Sequence, residues 1–166
     1  MRVCIGGTFN LLHRGHKSLI NKALELAGEH GHVFIGITIG KMLRGKKDVK
    51  PFLQRKKAIE QYVSEKQSST HVEIKTIKDR HGPSIEREFD AIVVTAETRS
   101  TAEGINKKRK QIARKPLEIV EIPFVLADDG VPISSTRIRN KEIDEEGRVL
   151  DGDQIYIRVF YYHRPR

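Results

Sequence analysis

The chain has one cysteine, Cys4, no tryptophan and only two methionines among its 166 residues. A single cysteine excludes an internal disulfide and suits a reducing compartment. Cys4 lies in the apolar run Val3-Cys4-Ile5, where it reads as a small core residue. No apolar run approaches the ~20 residues that cross a bilayer. No signal or transit peptide is evident before the first patterned segment, so the expected location is the cytoplasm. Outside the last twenty or so residues there is no aromatic platform on which bases could stack, which argues against RNA binding. No repeat, low-complexity tract or linker breaks the chain.

What is abundant is positive charge. Lys and Arg outnumber Asp and Glu by 31 to 22, a net charge of +9. This favours anionic partners without choosing among nucleic acid, membrane and polyphosphate. The length suits one domain with its own core.

Short β-rich runs alternate with helical stretches. Val3–Ile5, 32–39, 72–77, 91–95 and 117–122 read as strands, and 17–26, 51–66, 103–114 and 133–139 as helices, the last one short. Pro51 suits a helix N-terminus. Alternation of this kind predicts an α/β fold: a parallel sheet with right-handed crossovers and helices on both faces. The chain divides into a domain over 1–147 and an extension over 148–166. In the extension, Ile155, Ile157, Val159 and Tyr161 alternate with Tyr156, Arg158, Phe160 and Tyr162. That period of two predicts a strand, as an added edge or a subunit contact, or a lid over the site.

In open α/β sheets ligands bind beyond the carboxyl ends of the strands. After the first strand comes Gly6-Gly7-Thr8-Phe9-Asn10-Leu11-Leu12-His13-Arg14-Gly15-His16. The glycines allow close approach of the backbone to a ligand. His13 and His16 share one helical face, near a helix N-terminus that favours an anion. Lys41 and Arg44 follow the second strand, and Glu97, Thr98 and Arg99 the fourth. Ser134, Ser135, Thr136, Arg137 and Arg139 follow the fifth. Each group alone has a plain structural reading, a helix cap or a solvated face. Together they place phosphate-holding groups after four strands. No Cys, Asp or Glu completes a metal set with the histidines, so a protein-bound zinc is not expected. Magnesium carried by a triphosphate needs few protein ligands.

These residues carry a resemblance. GGTFNLLHRGH resembles the first signature of the HxGH nucleotidyltransferase superfamily, and ISSTRIR its second. KDRHGPS, IVVTAET, GIN and Asn140-Lys141-Glu142-Ile143-Asp144 resemble the archaeal and eukaryotic type of phosphopantetheine adenylyltransferase. The resemblance spans about residues 2 to 147. It implies adenylyl transfer from ATP, with Mg2+, to 4′-phosphopantetheine, giving 3′-dephospho-coenzyme A in coenzyme A biosynthesis. It also implies a Rossmann-like sheet in the order 3-2-1-4-5, and a monomer or small homo-oligomer. Carried over, the catalytic set is His16, Lys41, His13 and Thr8. The nucleotide falls to Gly7, Thr8, Phe9, His13, His16, Glu97, Thr98, Asn106, Ser134, Ser135, Thr136 and Arg139. The acceptor falls to Thr8, Asn10, Lys41 and Arg80.

Two positions depart from the family pattern. Asn10 stands where Asp is usual, and Asp79-Arg80-His81-Gly82-Pro83 where Asp-Pro-Phe-Gly-Pro is expected. Arg80 and His81 are open to two readings, contact with the acceptor phosphate or a solvated loop. Other acceptors of the superfamily, flavin mononucleotide or glycerol phosphate, and a non-catalytic nucleotide sensor are the alternatives. The Ile-Ser-Ser-Thr motif argues against the cytidylyltransferases, which usually carry Ile-Ser-Thr-Thr.

Overall fold

Strand β1 (Arg2–Gly7) is the middle of a five-stranded parallel sheet, ordered β3-β2-β1-β4-β5. The computed structural model describes residues 1–150. The expected strand of the C-terminal extension lies outside them. The other strands are β2 (His32–Thr38), β3 (His71–Ile77), β4 (Ala91–Val94) and β5 (Glu118–Glu121). Helices α1 (Arg14–Ala27), α2 (Phe52–Glu65) and α3 (Arg99–Gln111) make the crossovers, and α4 (Ser135–Arg139) follows β5. The fold class and strand order are those the sequence implied.

The alternation within β1 assigns its two faces. Val3 and Ile5 pack with Ile20, Ala23, Val33, Ile35, Ile59 and Val93, beneath α1 and α2. Cys4 packs on the other face with Phe34, Ile92, Ala102 and Ile105, beneath α3. Each fully buried Ile or Val contributes ~1.5–3 kcal/mol. Burial pushes the Cys4 thiol up to about 12, so it stays protonated and inert.

Two helices carry an arginine on the buried face. In α2, Arg55 is 3% exposed beside Ile59, and in α3, Arg109 is 3% exposed beyond Ala102 and Ile105. Each guanidinium is spent on backbone carbonyls. Arg55 donates to Lys50, Thr8 and Thr38 at 2.8–3.0 Å. Arg109 donates to Lys115, Ser84, Ile85 and Arg87 at 2.8–3.2 Å. A buried cation is tolerated when its donors are satisfied in this way. Both arginines pin loops at the sheet edge to the helices beneath.

β2 and β3 lie to one side of β1, β4 and β5 to the other. The chain therefore leaves β1 and β4 in opposite directions and opens a crevice between them. The site lies in that crevice.

Candidate active site

His13 is the N-cap of α1, and its Nδ1 accepts from the N–H groups of Gly15 at 3.0 Å and His16 at 3.4 Å. Nδ1 of His16 accepts in return from the His13 N–H at 3.3 Å. The two rings stack with centroids 3.7 Å apart. With each Nδ1 an acceptor, the proton of each neutral ring sits on Nε2. Burial keeps the rings neutral. It lowers His13 to about 4, and with its neighbour His13 it lowers His16 to about 3. The site thus holds two fixed Nε2–H donors at neutral pH. Gly15 is required here: a Cβ would stand 2.8 Å from Cε1 of His13.

The loop before α1 is strained and tied down. Phe9 is 1% exposed and has φ +49°, a region an aromatic residue enters only when its surroundings hold it there. Its ring lies 5.2 Å from that of His16. Asn10 is committed at both ends, accepting from the Lys50 N–H at 2.8 Å and donating to the Asp48 carbonyl at 3.2 Å. This second bond gives a reason for Asn in place of Asp, since a carboxylate has no proton to donate. Asn10 therefore holds the 45–50 loop.

That loop brings Lys46 to the centre. Its ammonium donates to Oγ1 of Thr8, which also meets Oγ1 of Thr38 at 2.9 Å. From the far side Arg139 donates to the Lys47 carbonyl at 2.8 Å, with Asp48 at 3.9 Å. Ser134 caps α4, its Oγ accepting from the Arg137 N–H at 3.2 Å.

Two cavities meet at Gly6–Thr8, Lys46 and Thr98. The larger, of about 930 Å³, is walled by the two histidines, Lys46, Lys47, Glu97, Ser134–Thr136 and Arg139. Gly7, Phe9, Asn10 and residues 122–125 complete it. The smaller, of about 230 Å³, is an apolar slot on the α3 face, walled by Phe34, Ile77, Ile92 and Ile105, with Arg80 and His81 on its rim loop. Gly6 and Gly36 are neighbours in register and leave its floor open. A Cβ on Gly36 would stand 2.8 Å from Cγ2 of Ile77.

Most of the expected residues come together here, and two do not. Lys41 lies on an exposed 3-10 turn, Gly40–Leu43, lines neither cavity, and acts electrostatically on Asp79. The lysine that lines the junction is Lys46. Four residues separate the two, and the turn leaves Lys41 exposed. Asn106 faces away from the nucleotide cavity. Its amide donates to the Leu117 carbonyl at 2.9 Å and accepts from the Leu117 N–H at 2.7 Å, tying α3 to the start of β5. Lys46, Lys47 and Arg55 were not singled out by the sequence. For Arg55 a signal existed, since it shares the helical stripe of Phe52, Ile59 and Val63.

The cytidylyltransferase-like family pattern matches residues 4–141. The chain is 43% identical over 149 residues to a phosphopantetheine adenylyltransferase of Methanosarcina mazei, covering 89% of this chain and 96% of that protein. It is 47% identical over 147 residues to one of Methanopyrus kandleri, covering 87% and 91%. A crystal structure of an Archaeoglobus fulgidus protein with unknown function superimposes with a TM-score of 0.66 at 35% identity, covering 74% of this chain and 89% of that one.

Proposed function

The chain belongs to the cytidylyltransferase-like family, and we propose that it transfers the adenylyl group of ATP to 4′-phosphopantetheine, giving 3′-dephospho-coenzyme A and pyrophosphate. One observation carries the reading: a roomy cavity of fixed donors and cations meets an apolar slot at Thr8 and Lys46. ATP suits the first, its triphosphate against His13, His16, Ser134–Thr136 and Arg139. The acceptor suits the second, with its phosphate at the junction and its arm along the apolar wall. Glycerol phosphate would leave that wall uncovered.

The reaction asks for little beyond alignment. An oxygen of the acceptor phosphate attacks the α-phosphorus of ATP. The bond from that phosphorus to the oxygen bridging the β-phosphate breaks, and pyrophosphate leaves with the electron pair. The attacking oxygen is already anionic near neutrality, so no general base is needed. Holding both anions in line supplies up to roughly 7–11 kcal/mol. Lys46 stands where both phosphates converge and offsets their repulsion. The neutral His16 Nε2–H donates where charge builds on the α-phosphate, without the reorganisation that water would need. Thr8 fixes Lys46, and Arg55 fixes Thr8 through its carbonyl.

Magnesium would be carried by the triphosphate of ATP. Among the described residues no three His, Cys, Asp or Glu gather as a metal set, and the side chain of Asn10 bonds to the 45–50 loop. Such a site suits an ion held mainly by triphosphate oxygens, where it supplies charge neutralisation. A cytoplasmic location accompanies an ATP-dependent reading. No helix among the described residues is long and apolar enough to cross a membrane.

The test is incubation of the purified protein with ATP, magnesium and, in turn, 4′-phosphopantetheine, flavin mononucleotide and glycerol 3-phosphate, with products read by mass spectrometry. Dephospho-coenzyme A and pyrophosphate are expected. Turnover of another acceptor alone would reassign the substrate, and ATP binding with no turnover would make the protein a sensor.

A further inference from the structure

Ile77, the last residue of β3, lines the apolar slot and keeps part of its surface accessible. It is nested among three glycines. In register it stands opposite Thr38, and its side chain leans back over Gly36. A Cβ on Gly36 would stand 2.8 Å from its Cγ2 and 3.2 Å from its Cδ1. A Cβ on Gly6, the register partner of Gly36, would stand 3.4 Å from the same Cδ1. From the far side a Cβ on Gly82 would stand 2.9 Å from Cγ2. Carbon atoms in ordinary contact are about 3.5–4.0 Å apart. Gly36 and Gly82 therefore admit no Cβ while Ile77 stays where it is.

The loop that carries Gly82 is fixed from two sides. The Asp79 carboxylate accepts from the N–H groups of His81 at 3.0 Å and Gly82 at 2.7 Å. Arg109 holds the carbonyls of Ser84, Ile85 and Arg87. With that loop on one side and the sheet on the other, a displaced Ile77 moves into the slot. Glycine weakens the interior of a strand. Here two of them sit in register on two interior strands. What they provide is depth: Ile77 sinks toward the sheet, and the slot above it gains that space.

We infer that the glycine floor and Ile77 form a subsite for a branched carbon beside the acceptor's phosphate, so that the slot favours acceptors with a quaternary carbon there over unbranched ones. The inference rests on the acceptor reading given above. In 4′-phosphopantetheine one methylene separates the phosphate ester from a carbon that bears two methyl groups. With the phosphate at Thr8 and Lys46, the next stretch of slot is the floor of Gly6 and Gly36. A doubly methylated carbon needs width at that point, and its methyl groups gain apolar cover against Ile77. An unbranched arm leaves the same wall uncovered.

Steady-state kinetics with 4′-phosphopantetheine and with its analogue lacking the two methyl groups test this on the wild type, Gly36→Ala, Ile77→Ala and the double variant. Calorimetric titration with ATP alone confirms that each variant is folded at the nucleotide side. The wild type should prefer phosphopantetheine about tenfold in kcat/KM, the scale of a few methyl groups in a fitted pocket. Gly36→Ala pushes Ile77 into the slot. It is expected to raise KM for phosphopantetheine about tenfold, equivalent to about 1.4 kcal/mol. Its kcat, and KM for the analogue, should change far less, so the preference disappears. Adding Ile77→Ala removes the two carbons that the new Cβ meets and should recover most of the loss. Should Gly36→Ala fail to bind ATP, Ile77→Phe narrows the same space from the wall and leaves the sheet untouched, with the same loss of preference expected. An unchanged preference in the narrowed variant overturns the subsite, as do equal losses on both acceptors or a Gly36→Ala defect that Ile77→Ala does not relieve. A wild type that binds ATP but adenylates neither acceptor overturns the acceptor reading and this inference with it. An active wild type indifferent to the methyl groups overturns the inference alone.

Discussion

The cavity and the slot that meet at Thr8 are built from different parts of the chain. The cavity takes its polar groups from loops and helix starts: the His13–His16 pair, the 45–50 loop and Ser134–Thr136. The slot takes its wall from the sheet face and α3, over a floor of two glycines. Triphosphate recognition needs donors, and loops after parallel strands supply them. An acceptor arm needs apolar cover, and only packed elements supply that. Both surfaces share one strand end because successive residues of β1 face opposite sides of the sheet.

The comparison breaks most sharply at the cavity. His16→Ala removes a fixed neutral donor and is expected to lower kcat by roughly 10²–10³, as for loss of an oxyanion-type donor. KM for ATP should change far less, because the donor matters most in the transition state. A matched loss in ATP affinity with kcat intact would make His16 a binding residue.

At the junction the expected effect is smaller and touches both substrates. Lys46→Met keeps the apolar stem and removes the charge. Charge-assisted hydrogen bonds contribute about 1.5–3 kcal/mol, so kcat/KM for the acceptor should fall roughly 10- to 100-fold. Lys41→Met should lie close to wild type. The reverse ranking in parallel kinetics would restore the bridging role to Lys41.

This contrast shows what the sequence makes legible. The alternation of strands and helices, the histidine pair and the Ser-Ser-Thr segment follow from short local patterns, the strand order from the family resemblance, and their places in the structure match. Lys41 and Lys46 cannot be separated by pattern, because both are lysines in one loop after β2. Which of them reaches Thr8 depends on the 3-10 turn and on Asn10 gripping Asp48 and Lys50. The slot is less legible still. Its floor needs Gly6 and Gly36 in register, thirty residues apart in the chain. Asn106 matched a family position, yet its amide is consumed by Leu117, a pairing that only the packing of α3 on β5 creates.

A third measurement probes the cavity through stability. His13 has its pKa lowered from 6.5 to about 4 by burial. The unfolded chain then binds more protons than the folded one below pH 6.5, so stability falls as pH falls. The stabilisation is complete above pH 6.5 and is lost progressively toward pH 4. Between pH 6.5 and 5 this one group removes about 1.5 kcal/mol, the slope approaching 1.36 kcal/mol per unit only below pH 6. His13→Asn keeps an N-cap side chain and removes the titration. Its urea midpoint should therefore drop less than that of the wild type over this range. Parallel pH profiles for the two proteins would show that His13 is not held neutral.

The smallest expected effect is at Asn10, where cavity and junction are coupled through one amide. Asn10→Asp keeps the acceptor for the Lys50 N–H but loses the donor to the Asp48 carbonyl, and it sets a carboxylate beside that oxygen. A lost neutral hydrogen bond costs about 0.5–1.5 kcal/mol, so kcat/KM for the acceptor should fall roughly three- to tenfold. The route of the effect is the informative part. If Asn10 acts by holding the loop that presents Lys46, Asn10→Asp should do almost nothing once Lys46→Met is already present. The two losses would then be non-additive in a double-mutant cycle. Full additivity would mean that Asn10 acts without Lys46, through direct contact with a substrate. A rise in activity on Asn10→Asp would mean that the negative charge itself serves the reaction, and that the grip on Asp48 is incidental to it.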